Sequence, residues 1–492
     1  MSDNSRTESP STSSPPGPRG SRRAFLTGSA ASLGAGLVAG PLAAPAAGAD
    51  AVDTSGWPDG PGGANRAQAP DAELRSILTA VDRGRIESTV RKLVSFGTRH
   101  TLSSQDDPDR GIGAARDWIF ATLQGYAAQS GGRMTVEKQS YVQEPANRIP
   151  TATRITNLVA TLRGSSAPDR VYVVSGHYDS RVTDVMNSTA DAPGADDDAS
   201  GVAVAMELAR VMATRKPEAT IVFAAVAGEE QGLYGSTYLA EQLKQAGKDV
   251  QGMFTNDIVG SSTADDGTRD PRSLRLFAEG VPTDETPAEA NTRRSVGGEN
   301  DSPARQLARF VTEVNDVDQT GMNVRVIYRR DRYLRGGDHI PFLERGFPAA
   351  RFTEPNEDYA HQHQDVRVEN GKQYGDLPEF CDFGYITRVA RVNASALWSM
   401  ATAPGTPKNV RVRTSVLTND TELVWDANAD ADQARYQVVW RPTVEASWTH
   451  VIDAGTATTK RVDLSKDNVF FGVRAVDERG HRSPAAFPSP QA

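Results

Sequence analysis

"ATIVFAAVAGEEQGLYGS", Ala219–Ser236, carries a run rich in apolar residues, Ala219 to Val226, straight into two adjacent carboxylates, Glu229 and Glu230. A short apolar run that stops at glycine reads as a buried strand. Two neighbouring negative charges at the end of such a strand repel each other and resist leaving water. Adjacent residues near a strand end point in different directions, so the two carboxylates need not share one task.

Outward from this stretch, strand-like and helical runs alternate. Asn157–Leu162, Val171–Ser175, Gly252–Ile258, Met322–Tyr328 and Pro348–Phe352 read as strands. Arg75–Leu93, Gly111–Ala128, Val202–Met212, Gly235–Gln245, Arg305–Glu313 and Asp382–Met400 read as helices. Residues 261–302 are polar and rich in Gly and Pro, and read as an insertion or long loop. The alternation predicts an α/β domain with a mixed, largely parallel sheet flanked by helices. Ligands of such sheets gather where the strands end.

The chain has 492 residues, too many for one ordinary domain. Hydrophobic residues make up 38% and charged residues 24%, values of a soluble globular protein. A net charge of −9 without a long basic run argues against nucleic acid as a partner. Residues 1–49 combine a Ser/Pro-rich start, the pair Arg22-Arg23 before Phe25-Leu26, an Ala/Gly/Leu stretch and the small-x-small pattern Ala47-Gly48-Ala49. They read as a twin-arginine-type signal that places the protein outside the cell. A membrane anchor is the weaker reading, because glycine, Pro41 and Pro45 interrupt the apolar run, and no stable membrane insertion is expected. The one cysteine, Cys381, cannot form a disulfide within the chain and reads as a small core residue.

Residues 50–70 read as a linker, 71–402 as the α/β domain, and 403–492 as a separate module beginning at Ala403-Pro404-Gly405-Thr406-Pro407. Short alternating runs in the tail, such as Glu422–Trp425, Tyr436–Arg441 and Phe470–Asp477, predict a small all-β sandwich. With Trp425, Tyr436 and "GVRAVDERGHRSP", this tail resembles a fibronectin type III module. It is expected to be an accessory that binds a surface or polymer, or stabilises the exported protein.

There are seven histidines, and several lie beside acids at strand ends. His177 closes a strand in Gly176-His177-Tyr178-Asp179-Ser180. Asp196-Asp197-Asp198 opens a helix, Glu229-Glu230 follows a strand, and Asp257 lies in an apolar strand. His361-Gln362-His363-Gln364-Asp365 comes after the last strand. Each piece has a plain structural reading; an Asp triplet caps a helix favourably, and it could also hold calcium. A lone buried carboxylate such as Asp257 costs several kcal/mol unless paired or metal-bound. Together, two histidines and three or more acids exceed what one catalytic zinc needs, and with a bridging Asp they suffice for two ions.

"GHYDS", "PGADDDASG", "AGEEQGLYGS", Asp257, "GGDHIPFLERGFPA" and "HQHQD", in this order, resemble the di-zinc aminopeptidases of the bacterial leucyl aminopeptidase family, the clan MH zinc exopeptidases. The resemblance implies that His177 and Asp257 hold one zinc, Glu230 and His361 the other, and that Asp197 bridges them. It implies that Glu229 is the general base and that Asp179 fixes the His177 ring. It also implies a cis peptide at Asp197-Asp198. The pattern His-x-x-x-Asp, ending at Asp365, selects His361 over His363, while His339 matches a segment near the site that is not a ligand. The oxyanion-stabilising hydroxyl is open, with Tyr333 and Tyr359 as candidates. The implied activity is release of N-terminal residues, leucine-like by the family's common choice, from peptide substrates. A carboxypeptidase, dipeptidase or glutaminyl cyclase on the same site, or a non-catalytic binding protein, are the rivals.

Overall fold

The computed structural model describes residues 60–491; the expected signal and much of the expected linker lie outside the described residues. The main sheet has eight strands: β1 Met134–Gln143, β2 Thr153–Leu162, β3 Ala167–His177, β4 Ala219–Val226, β5 Asp249–Asn256, β6 Ser273–Phe277, β7 Asn323–Ile327 and β8 Ala349–Thr353. Their order is β1-β2-β4-β3-β5-β8-β6-β7. The central four, β4, β3, β5 and β8, are mutually parallel, and antiparallel partners lie to either side.

Every residue of β4 is buried. That is why it reads as a continuous apolar run: a parallel strand covered on both faces has no solvent side. Alternate residues serve two cores. Tyr172, Val174, Ile221 and Phe223 pack in the core that contains the helices Gly201–Met212 and Phe383–Ala401. Val171, Val173 and Val222 pack with Leu239 and Ala240 on the other face.

The helix Gly201–Met212 sits unusually close to the strand ends. A Cβ on Gly201 would lie 2.1 Å from the Asn256 carbonyl oxygen, and one on Gly176 would lie 2.4 Å from the Gly201 carbonyl carbon. Glycine at both positions lets the turn Ala195–Ser200, which carries Asp197, press against the end of β3.

Three sequence expectations change. The single helix Arg75–Leu93 is two, Ala72–Ala80 and Arg83–Val94, because the Asp82 side chain accepts the Arg85 N–H and starts a new helix. Residues 261–302 are not one loop: they contain β6 and the helix Pro287–Val296, which opens with a Thr286/Glu289 capping box. β1 escaped notice because it is a half-exposed edge strand.

The C-terminal part is a sandwich of two four-stranded sheets. One edge strand is Gly63–Ala64, from the stretch read as linker; it pairs antiparallel with His450–Gly455. Trp440 Nε1 donates to the Pro61 carbonyl at 2.8 Å, and Arg482 N to Gln68 Oε1 at 3.0 Å, so this stretch is fastened to the sandwich. The sandwich and the α/β part belong to one compact unit. Ion pairs join them: buried Asp301 receives Arg309 at 2.8 Å and Arg441 at 2.7 Å, and the partly buried Glu313 receives Arg474 and Arg482. Arg441→Ala is therefore expected to lower stability by about 3 kcal/mol, because it strips a buried carboxylate of one partner. Urea unfolding would read this, and an unchanged midpoint would refute it.

Candidate metal centre

The parallel strands bring their C-terminal ends to one edge, and the sequence places acids and histidines there. His177 is the last residue of β3. Glu229 and Glu230 open the short helix Glu229–Gly232 just past β4. Asp257 follows the last residue of β5.

The turn with Asp197 is held from behind. Arg99, fully buried, donates to the carbonyls of Tyr178 (2.7 Å), Pro193 (2.5 Å) and Gly194 (2.8 Å). Burial lowers this guanidinium to about 10, against the pull of Asp376 and Asp179. The Asp376 carboxylate accepts the N–H groups of Asp196 and Asp197, both at 2.8 Å. The Asp197-Asp198 peptide is cis.

The triplet does not make one cation cage. Asp196 accepts the Gly260 N–H at 2.6 Å, and Asp198 accepts those of His177 and Gly201, both at 2.9 Å. Only Asp197 faces the imidazoles. The calcium expectation loses its basis, since the three carboxylates diverge to satisfy different backbone donors.

Two triads form, sharing Asp197: His177, Asp197 and Asp257, and Asp197, Glu230 and His363, each with donor atoms within 4.8 Å of one another. His177 Nε2 is 3.0 Å from Asp197 Oδ1 and 3.9 Å from Asp257 Oδ1. His363 Nε2 is 2.6 Å from Asp197 Oδ2 and 2.9 Å from Glu230 Oε1.

His361 is not in this cluster. Its Nδ1 pairs with Asp358 Oδ2 at 2.8 Å, and its ring stacks on Phe380 at 3.4 Å between centroids. The positive φ of His363, 53°, turns the chain at that residue. Asp365, which anchored the choice of His361, is exposed and outside the cluster. The correction is that His363 stands where His361 was expected. Tyr333 and Tyr359 are also misplaced for an oxyanion role: they are 76% and 58% exposed, and neither lines the cavity beside the triads.

Asp179 is buried behind His177. His177 Nδ1 meets the Asp179 backbone carbonyl at 3.1 Å, closer than its carboxylate at 3.6 Å. The carboxylate instead takes the Thr101 hydroxyl and the N–H groups of Glu229 and Glu230. The backbone carbonyl of Asp179 thus holds the imidazole, and its carboxylate holds the paired glutamates.

Charge explains the rest. Burial opposes ionisation of Asp197, yet the two imidazoles hold its carboxyl well below the usual range. Burial likewise opposes a charged His363, but Glu230 and Asp197 raise it to about 10. Burial pushes Glu229 well above the usual range, countered by His177 and reinforced by Asp257 and Glu230. Asp257 is raised by burial, against Arg351, whose Nη1 lies 2.8 Å from its Oδ2.

Glu230 Oε1 and His363 Nε2 are buried, face each other at 2.9 Å, and have no well-directed hydrogen bond. Buried polar atoms left in this way call for a further partner. Mixed imidazole and carboxylate donors suit zinc, so the residues fit that ion.

Several residues here had little or no notice in the sequence. Arg351 could have been noticed as the one charge in the buried strand "AARFT". Arg99, Arg181 and Asp376 carried no local signal. His339 is buried, its Nε2–H donates to the Arg330 carbonyl at 2.8 Å, and burial lowers it to about 4.

Comparison with known proteins agrees with this chemistry. Residues 157–370 match the model of Peptidase family M28. A protein of Leptosphaeria maculans named "Probable zinc metalloprotease" is 57% identical over 422 residues, 86% of this chain and 98% of its own. One of the same name from Pyricularia oryzae is 58% identical over 430 residues, 86% of each. Among solved structures, the LapA aminopeptidase of Legionella pneumophila aligns at a TM-score of 0.48 and 16% identity, covering 69% of this chain and 77% of that one. A glutaminyl cyclase of Porphyromonas gingivalis aligns at 0.43 and 18%, covering 64% and 97%. With relatives this similar over nearly their whole length, the chain belongs to peptidase family M28 and is a zinc metallopeptidase.

Proposed function

We propose that the protein is an aminopeptidase that holds two zinc ions and removes N-terminal residues from peptides. The observation that carries this is the pair of triads sharing Asp197, with Glu229 beside them and outside both. His177, Asp197 and Asp257 would hold one ion, and Asp197, Glu230 and His363 the other. When bound, the ions supply a water acidic enough to lose its proton near neutral pH and polarise the scissile carbonyl.

The chain's own residues do the rest. Glu229 has no part in either triad, and it lines the same cavity as Asp197, Glu230, Asp257 and His363. It takes a proton from the attacking water and hands it to the leaving amine, as a general base and then acid. Arg181, 2.8 Å from Glu230 and 2.6 Å from His363 Nδ1, orients both side chains. An apolar, leucine-like first residue, which the resemblance implies, meets a single apolar side chain in the cavity lining, Leu233.

The arginine pair Arg22-Arg23 supports export of the folded protein, and the β-sandwich supports an accessory role at a surface or polymer. Among the described residues no helix is long and apolar enough to cross a membrane. The test of the activity is release of p-nitroaniline from unblocked aminoacyl p-nitroanilides, set against N-acetylated peptides of the same sequence. Hydrolysis of the unblocked set is expected; turnover of the acetylated set alone would overturn the reading in favour of a carboxypeptidase-like activity.

A further inference from the structure

Beside the triads lies an open cavity of about 350 Å³. Four arginines line it, Arg148, Arg181, Arg332 and Arg335. An acidic metal cluster needs some counter-charge, and part of this set supplies it. Arg181 pairs with Glu230, and Arg351 behind the cavity pairs with Asp257. Arg148 and Arg335 are less committed: among the described residues neither forms a close ion pair with a carboxylate of either triad, although Asp197 and Asp257 lie within electrostatic reach of Arg335.

Arg335 reaches Glu357 Oε2 at 2.8 Å, but Glu357 is already shared with Arg275 and Arg332. Glu357 thus faces three guanidinia, of which Arg332 also pairs with Asp331. The Arg335 side chain is 34% exposed, so it has a face toward the cavity. Arg148 is exposed, and its one protein partner is a carbonyl, that of Glu230, 2.9 Å from Nη1. It bears no ion pair with any described residue.

The backbone at these positions is held at a cost. Arg148 sits at φ 58° inside the tight turn closed by Ala146 and Ile149, and Leu334, between Arg332 and Arg335, sits at φ 55°. Among the described residues, three of the seven non-glycine residues at positive φ, Arg148, Leu233 and His363, line this cavity, and Leu334 precedes a fourth lining residue. Left-handed backbone at a non-glycine residue costs roughly 1 kcal/mol or more and gathers at functional sites. Here such turns occur at Arg148 and beside Arg335, two of the arginines that line the cavity.

We propose that this cavity selects substrates carrying a carboxylate close to the scissile bond, bound by Arg148 and Arg335. Planar guanidinium forks match a carboxylate with two parallel hydrogen bonds. The carboxylate has two sources: an acidic first side chain, or the free C-terminus of a very short peptide. The proposal rests on the aminopeptidase reading for the position of the scissile bond.

The experiment uses the full-length zinc-loaded protein and matched pairs. Glutamyl against glutaminyl p-nitroanilide reads the side chain, and Leu-Leu against Leu-Leu amide reads the C-terminus. In at least one pair the anionic member is expected to have a kcat/KM about tenfold or more higher. Arg148→Gln and Arg335→Gln should bring that ratio toward one, with Arg→Lys at the same positions restoring part of it. If a variant fails to fold, raising ionic strength should shrink the wild-type ratio by screening the same charges. Ratios within about twofold of one in both pairs would overturn the proposal. Calorimetry of glutarate against glutaramide separates the two readings. If no unblocked substrate is cleaved, the aminopeptidase reading fails, while tighter glutarate binding that the arginine variants abolish still supports the carboxylate site. Equal binding of the two probes then overturns it.

Discussion

Glu229→Gln is expected to lower kcat by roughly three orders of magnitude while the protein retains its zinc. Glu229 lines the cavity of the triads yet belongs to neither, so removing its charge takes no ligand away. The amide keeps the side chain's shape but cannot accept the water's proton. Glu230→Gln should behave differently, because Glu230 is a member of the second triad and the partner of both His363 and Arg181. Its loss should lower metal content first and activity as a consequence. Elemental analysis beside initial rates separates the two variants. Equal zinc loss in both would mean that Glu229 is a ligand, and the assignment of roles would be wrong.

His363→Ala should cost most of one zinc equivalent and at least about a hundredfold in kcat/KM, whereas His361→Ala should retain its metal. The reason lies in what each ring touches. His363 Nε2 meets Asp197 and Glu230, whereas His361 pairs with Asp358 and stacks on Phe380. The metal-free His363 is held up to about 10 by those carboxylates, so below that pH metal must displace a proton from it. Zinc affinity of the apoprotein should therefore fall as pH drops, and calorimetry in buffers of different ionisation enthalpy should register released protons. Uptake with no proton release near neutral pH would contradict this assignment.

The paired glutamates show how far sequence alone can reach. An apolar run that ends in Gly228-Glu229-Glu230 reads as a buried strand, and it corresponds to β4. The alternation around it implied a parallel sheet, and parallel strands bring their C-terminal ends to one edge. His177, Glu230 and Asp257 could be expected to converge because each sits at or just past the end of such a strand, whereas Asp197 opens the next helix after 19 intervening residues.

His363 lay beyond that reach. It is separated from β8 by an irregular loop, where two histidines two residues apart can each swing inward. Which one does depends on a left-handed turn at His363 and on Asp358 and Phe380 claiming His361. These are contacts made by the fold, one from within the loop and one from the short helix Pro378–Phe380, not a spacing. The same holds for the strand Gly63–Ala64, whose pairing partner lies at the other end of the chain, and for Arg148 and Arg335, which become neighbours of the site only through folding.

Local periodicity and strand-end chemistry, which depend on residues close in sequence, were thus determined by the sequence itself. The choice between His361 and His363, the fastening of the sandwich by Asp301 and Glu313, and the arginine lining of the cavity were decided by tertiary structure. Each depends on charges brought together over long stretches of chain, where the burial that makes a partner necessary exists only in the folded protein.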